Sequence, residues 1–226
     1  MGKLNMREPE RSFLPLNRQS GAKTPDRIVI AFEGEHTEPQ YFHHLAAKNS
    51  RISIVSLERA EEAKSKSAPK HVLQQLHDFK AAEAPRKHDE LWLVVDVDQW
   101  ENLTEVVNSC SEEGYRAAIS NPCFELWLLL HFRSLDEYTA EEKQRLWENK
   151  KVTKKRTFLE KELSDRLIDG YNKRRPATER FIPFVKEAIE RARQLDTNPN
   201  DPWPQTLGTR VYLLAERILR HKLTDF

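Results

Sequence analysis

Four apolar runs, each followed by a helical periodicity or a helix start, set the frame of this chain. Residues 28–32 (IVIAF) are continuously apolar and rich in β-branched side chains, the pattern of a strand buried on both faces. The run stops at Glu33-Gly34-Glu35. Thr37 then predicts a helix start, with Gln40 completing a capping box and Pro39 tolerated in the first turn. Tyr41, Phe42, Leu45 and Ala46 give that helix an apolar stripe. Residues 52–57 predict a second strand and 58–66 a charged loop, after which Pro69 opens a helix with Val72, Leu76 and Phe79 inward. Residues 91–95 (LWLVV) predict a third buried strand, ending on Asp96-Val97-Asp98. Leu103, Val106, Val107 and Cys110 carry helical spacing, Gly114 supplies a stop, and residues 115–119 form a short fourth strand. Strands alternating with helices predict an α/β fold with a doubly wound, mainly parallel sheet.

After the fourth strand the pattern changes. Asn121 is placed to cap a helix whose first position is Pro122. From 124 to 132 this helix is apolar almost all round, which predicts burial; its one acid is Glu125, in the first turn. Residues 135–195 read as helical and highly charged, with basic clusters at 150–151, 154–156 and 173–175 and one good stripe from Phe181 to Leu195. Residues 196–205 form a proline-rich loop, and Leu207, Val211, Leu214 and Ile218 mark a last helix that packs back on the sheet. The predicted organisation is a polar arm over residues 1–25, an α/β domain over 26–134 and a helical region over 135–226 packing on the same domain.

Charge changes this picture little. The 37 basic and 36 acidic residues nearly cancel, so any basic surface must come from local clustering. Cys110 and Cys123 have no metal-ligand spacing, and no apolar run approaches the roughly 20 residues of a membrane span. The expectation is a soluble, cytoplasmic, reduced protein, with homo-oligomerisation left open. There is no phosphate-binding Gly-x-x-x-x-Gly-Lys-Ser/Thr loop, so nucleotide hydrolysis would belong to a partner.

The candidate chemistry lies in acids at the ends of buried elements: Glu33, the pair Asp96 and Asp98, and Glu125. Ligands of open α/β sheets bind at the carboxyl ends of the strands. Carboxylates held together repel unless a cation neutralises them, and hard oxygen donors suit Mg²⁺, with Mn²⁺ an alternative. Such an ion supports phosphodiester chemistry, with a neighbouring carboxylate as general acid or base. The competing readings are plain. Acids after strands are often solvated loop residues, and Glu125 can merely complement a helix dipole. An acid on an apolar helix nevertheless needs a partner to be buried. Capping accounts for Thr37. His36, His43, His44 and His131 read as surface or supporting residues, and Trp92, Trp100 and Trp127 as core. The basic clusters read either as solvated helix faces or as phosphate contacts.

Glu33-Gly34 after one strand and Asp96-Val97-Asp98 after another resemble the Toprim domain shared by topoisomerases, bacterial primases and OLD-type nucleases. The three ordered blocks EGEHTEPQYF, LWLVVDVDQW and ISNPCFELWLLLHF resemble the RloB-like family more specifically. The likeness covers about residues 27–133, with an echo in the final helix. It implies a Toprim-like domain in which Glu33 is general acid/base or metal ligand, Asp96 and Asp98 hold the metal, and Glu125 is a further acid of the site. Gly34, Glu35, Thr37, Glu38 and Asn121 fall within the matching blocks as supporting or substrate-facing positions, and either Glu33 or Glu35 faces the metal. The resemblance further implies an anti-phage or restriction setting, sometimes beside an ABC- or SMC-type ATPase. The function expected is Mg²⁺-dependent cleavage of DNA or RNA. The alternatives are a non-cleaving nucleic-acid or protein-interaction subunit and a different Toprim phosphoryl-transfer enzyme.

Overall fold

The computed structural model describes residues 25–57, 68–97, 100 and 102–223, with side chains of the last helix described to residue 220. The predicted arm (but for its last residue), the loop at 58–66 and Asp98 lie outside the described residues. Among the described residues the order of elements is β1 (Asp26–Phe32), α1 (Thr37–Ala46), β2 (Ile52–Leu57), α2 (Pro69–Ala82), β3 (Glu90–Asp96), α3 (Leu103–Glu112), β4 (Arg116–Asn121), α4 (Phe124–Leu130), α5 (Ala140–Glu148), α6 (Phe158–Arg166), α7 (Val185–Leu195), β5 (Gly208–Thr209) and α8 (Val211–Leu223). The sheet order is β2-β1-β3-β4-β5; β1 to β4 run parallel, and β5 is antiparallel to β4.

Two-residue alternation sends each strand into two cores. Ile28, Ile30, Phe32, Trp92 and Val94 face α1, α4, α7 and α8, whereas Val29, Ala31, Leu91, Leu93 and Val95 face α2 and α3. This is the doubly wound arrangement predicted from the continuous apolar runs. The first core passes without a break from Ile28 through Trp127 and Leu163 to Ile218, so the α/β part and the helical part share it. Trp92 and Trp127 are core residues, with 2% and 0% exposure.

The chain goes from β1 out to β2 and then crosses back over to β3. The order of strands therefore reverses between β1 and β3, and their carboxyl ends flank the crevice where open α/β sheets bind ligands.

Three local expectations are corrected. β4 runs on to Asn121, whose side chain donates to the Pro204 carbonyl at 2.8 Å instead of capping a helix. The Asn121-Pro122 peptide is cis, and α4 starts at Phe124 with Cys123 at its cap position. Thr37 is already inside α1, whose cap position is His36. Its hydroxyl donates to the Lys173 carbonyl at 3.0 Å, so helix capping does not account for it. Finally, β5 arises at the end of the predicted proline-rich loop, and Ser120 Oγ meets Thr209 Oγ1 at 2.8 Å to fix it against β4.

Candidate functional site

The end of β1 is tied to the end of β3. Glu33 N–H donates to the Val94 carbonyl at 2.9 Å, continuing the ladder one residue past the strand, and the Asp96 N–H donates to Glu33 Oε2 at 2.9 Å. The Glu33 carboxylate is thus held over the Asp96 backbone, while Glu35 is exposed on the rim. Both line a cleft of about 450 Å³ together with Gly34, His36, Thr37, Glu38, Asp96, Glu125, Lys173 and Arg174.

Glu125 comes from the first turn of α4. α4 is buried along its whole length, so its first-turn carboxylate is 4% exposed and must be satisfied from within. Tyr171 Oη donates to Glu125 Oε1 at 3.0 Å, and Lys173 Nζ lies 3.1 Å from the same oxygen. That ammonium is shared with Glu160 Oε1 at 3.2 Å. Burial is the largest influence on Lys173 and opposes its charge, but Glu125, Cys123 and Glu160 together outweigh it and hold the ammonium above its ordinary pKa. Asp96, Cys123 and Glu125 each offer one ligating atom within 4.8 Å of the others.

Glu38, a supporting position in the sequence, is a buried acid of the same cleft. It is 7% exposed, and its carboxyl lies so close over Gly34 that a Cβ there would sit 2.0 Å from Oε2. Burial first, and the Glu125 charge next, push its carboxyl pKa up to about 7. A helix-starting T-E-P reads locally as surface, whereas in the fold Tyr171 and the Lys173 carbonyl meet Thr37 beside it and Gly34 lies against its carboxyl.

The chain matches the RloB-like protein family over residues 28–218. It belongs to that family. No curated protein and no solved structure matches it. The family match reaches well past the 27–133 segment on which the resemblance rests, and in this chain Lys173 and Arg174 from the later part line the cleft while Tyr171 donates to Glu125.

Of the predicted site residues, Glu33, Gly34, Glu35, Thr37, Glu38, Asp96 and Glu125 come together in one cleft. Asn121 is buried on the Pro204 carbonyl and does not line it. Asp98 lies outside the described residues. Cys123, which had no ligand spacing in the sequence, joins Asp96 and Glu125 in space; burial, then the charges of Glu125 and Asp96, hold its thiol well above its ordinary pKa. Lys173 lies in a turn and not on a helix, and although its side chain is 56% exposed its ammonium pairs with Glu125. His131 is a core residue, His43 Nε2 meets Ser56 Oγ at 2.9 Å, and His44 Nδ1 meets Thr178 Oγ1 at 2.5 Å. No helix of the described residues is long and apolar enough to cross a membrane.

Proposed function

We propose that this protein is a Mg²⁺-dependent nuclease that cleaves phosphodiester bonds of DNA or RNA, acting in a prokaryotic anti-phage or restriction setting. The observation that carries the reading is the convergence of Glu33, Asp96 and Glu125, from three separate elements, at the crevice between β1 and β3. The donor set fits a divalent ion. The carboxylates of Asp96 and Glu125 suit a hard divalent ion, Mg²⁺ or Mn²⁺, which would compete with Lys173 for Glu125.

Asp96 and Glu125 would hold the ion, with Glu33 beside them, and a bound divalent ion supplies a polarised phosphoryl oxygen and an activated water. Glu33, oriented by the Asp96 N–H, is placed to ligate or to move a proton at the reacting oxygen. Glu38, buried on the same wall, lines the path of the substrate. Lys173 and Arg174 form the cationic side of the cleft and face the phosphates. Tyr171 fixes Glu125 through its hydroxyl and, 3.4 Å from Thr37 Oγ1, locks the helical region onto the start of α1.

The test is incubation of purified protein with plasmid DNA and with total RNA, in Mg²⁺, Mn²⁺ or EDTA, beside Asp96→Ala. Metal-dependent scission lost in the variant supports the reading and names the polymer. The ammonium of Lys173 on Glu125 favours a second reading, a non-cleaving subunit of a defence complex whose acids are neutralised internally. On that reading Asp96→Ala leaves nucleic-acid binding and cell phenotype intact, and no lane shows scission.

A further inference from the structure

Between α5 and α6 the chain makes a short basic hairpin instead of the helical face expected there. Lys151 and Thr157 form an antiparallel bridge, and Phe158 N–H donates to the Lys150 carbonyl at 3.0 Å. The N–H groups of Val152 and Thr153 reach the Arg156 carbonyl at 3.0 and 3.2 Å, and Thr153 Oγ1 accepts from Lys155 N–H and Arg156 N–H at 3.2 and 3.0 Å. Residues 150–156 are all exposed, and Lys150, Lys151, Lys154, Lys155 and Arg156 stand among them without an acid. Lys150 pairs with Glu148; among the described residues no ion pair involves the other four.

Like charges this dense repel, and an unconstrained loop would spread them. Here the turn is pinned by its own hydrogen bonds, so the charges are held together at the cost of that repulsion. The hairpin is also rooted on the acidic cleft. Asn149, just before it, donates to Cys123 Sγ at 3.4 Å and accepts from Leu159 N–H at 3.0 Å. Glu160, just after it, holds Lys173, and a Cβ on Gly170 would lie 3.5 Å from Arg156 Nη2, one residue before the Tyr171 that binds Glu125.

We propose that residues 150–156 are a nucleic-acid grip that holds the phosphate backbone of the strand whose scissile bond lies in the cleft. Each arm of about three residues at roughly 3.3 Å carries the charges about 10 Å from the root. That reach corresponds to about three nucleotides at 3.4 Å per step. The substrate class rests on the nuclease reading; the contact itself is measured without metal, so the two fail separately.

The experiment measures binding of a short fluorescent duplex DNA and a short single-stranded RNA in EDTA across a series of KCl concentrations. Wild type is compared with the combined Lys151→Gln, Lys154→Gln and Lys155→Gln variant, its Lys→Arg counterpart, and a control with Lys80→Gln, Arg86→Gln and Lys87→Gln. The control removes equal charge from the end of α2 and the turn before β3, at the far end of the sheet. The hairpin variant is expected to bind about tenfold or more weakly, with its log–log salt slope on duplex DNA flattened by about 0.9 per lysine, roughly 2.7 in all. The arginine counterpart and the control keep the wild-type slope. An unchanged slope in the hairpin variant, an equal loss in the control, or no binding by wild type to either polymer overturns the proposal. Scission in Mg²⁺ that survives Asp96→Ala overturns the nuclease reading alone and leaves the grip standing.

Discussion

The two ends of α4 bury one titratable residue each and do opposite things with it. At the far end His131, 1% exposed, is enclosed by Tyr41, Trp127 and Phe181, with ring centroids 5.0 to 5.5 Å away. Its Nδ1 faces the Trp127 carbonyl at 2.9 Å and therefore carries the proton, and its Nε2 meets Tyr41 Oη at 3.0 Å. Both nitrogens are spent on neutral partners, and burial pulls the imidazole pKa down to about 3. At the near end Glu125 is as deeply buried, but its partners are an ammonium and a hydroxyl, and Asp96, Cys123 and Glu38 crowd the same space. Burial alone therefore does not mark a site. A buried polar group satisfied by neutral neighbours is structure, whereas one set among other charges at a strand-end crevice is a candidate for chemistry.

The largest effect that sharpens this contrast is at the structural end. The folded chain refuses the proton that an unfolded histidine takes up below its ordinary pKa of 6.5. The His131 contribution to stability is therefore full above that pH and is lost as pH drops toward about 3, by on the order of a few kcal/mol. Urea unfolding across this window should show the slope in wild type and a flatter one in His131→Leu.

A smaller effect is expected at the cleft. Gly34→Ala places a Cβ 2.0 Å from Glu38 Oε2 and should cost about 1–3 kcal/mol. In a Glu38→Ala background the same substitution should cost almost nothing, and a double-mutant cycle reads the difference. Smallest is the effect of Lys173→Met. It removes the cation from Glu125 and should tighten Mn²⁺ binding about tenfold, or roughly 1.4 kcal/mol, by calorimetry.

What could be read from the sequence follows from the range of the interactions involved. β1, β3 and α4 announce themselves because continuous apolar runs have few other fates. Glu33, Asp96 and Glu125 stand out because each ends or enters such a run. Where the fold departs from the sequence pattern, a distant partner wins over a local one. The Thr37 hydroxyl goes to the Lys173 carbonyl, and the Asn121 amide goes to Pro204. β5 has two residues, too few for any periodicity, and exists because β4 offers it an edge. In the sequence Lys173 belongs to one of three similar basic clusters; only the fold pairs it with Glu125, while Lys151, Lys154, Lys155 and Arg156 take no ion-pair partner among the described residues.

The central claim is that the acids at the β1–β3 crevice hold a divalent cation. Titration calorimetry of Mn²⁺ into wild type and Asp96→Ala, with both confirmed folded by their thermal melts, tests it directly. The account predicts saturable binding in wild type that is lost or severely weakened in the variant. No binding to wild type, or equal binding to both, would contradict it.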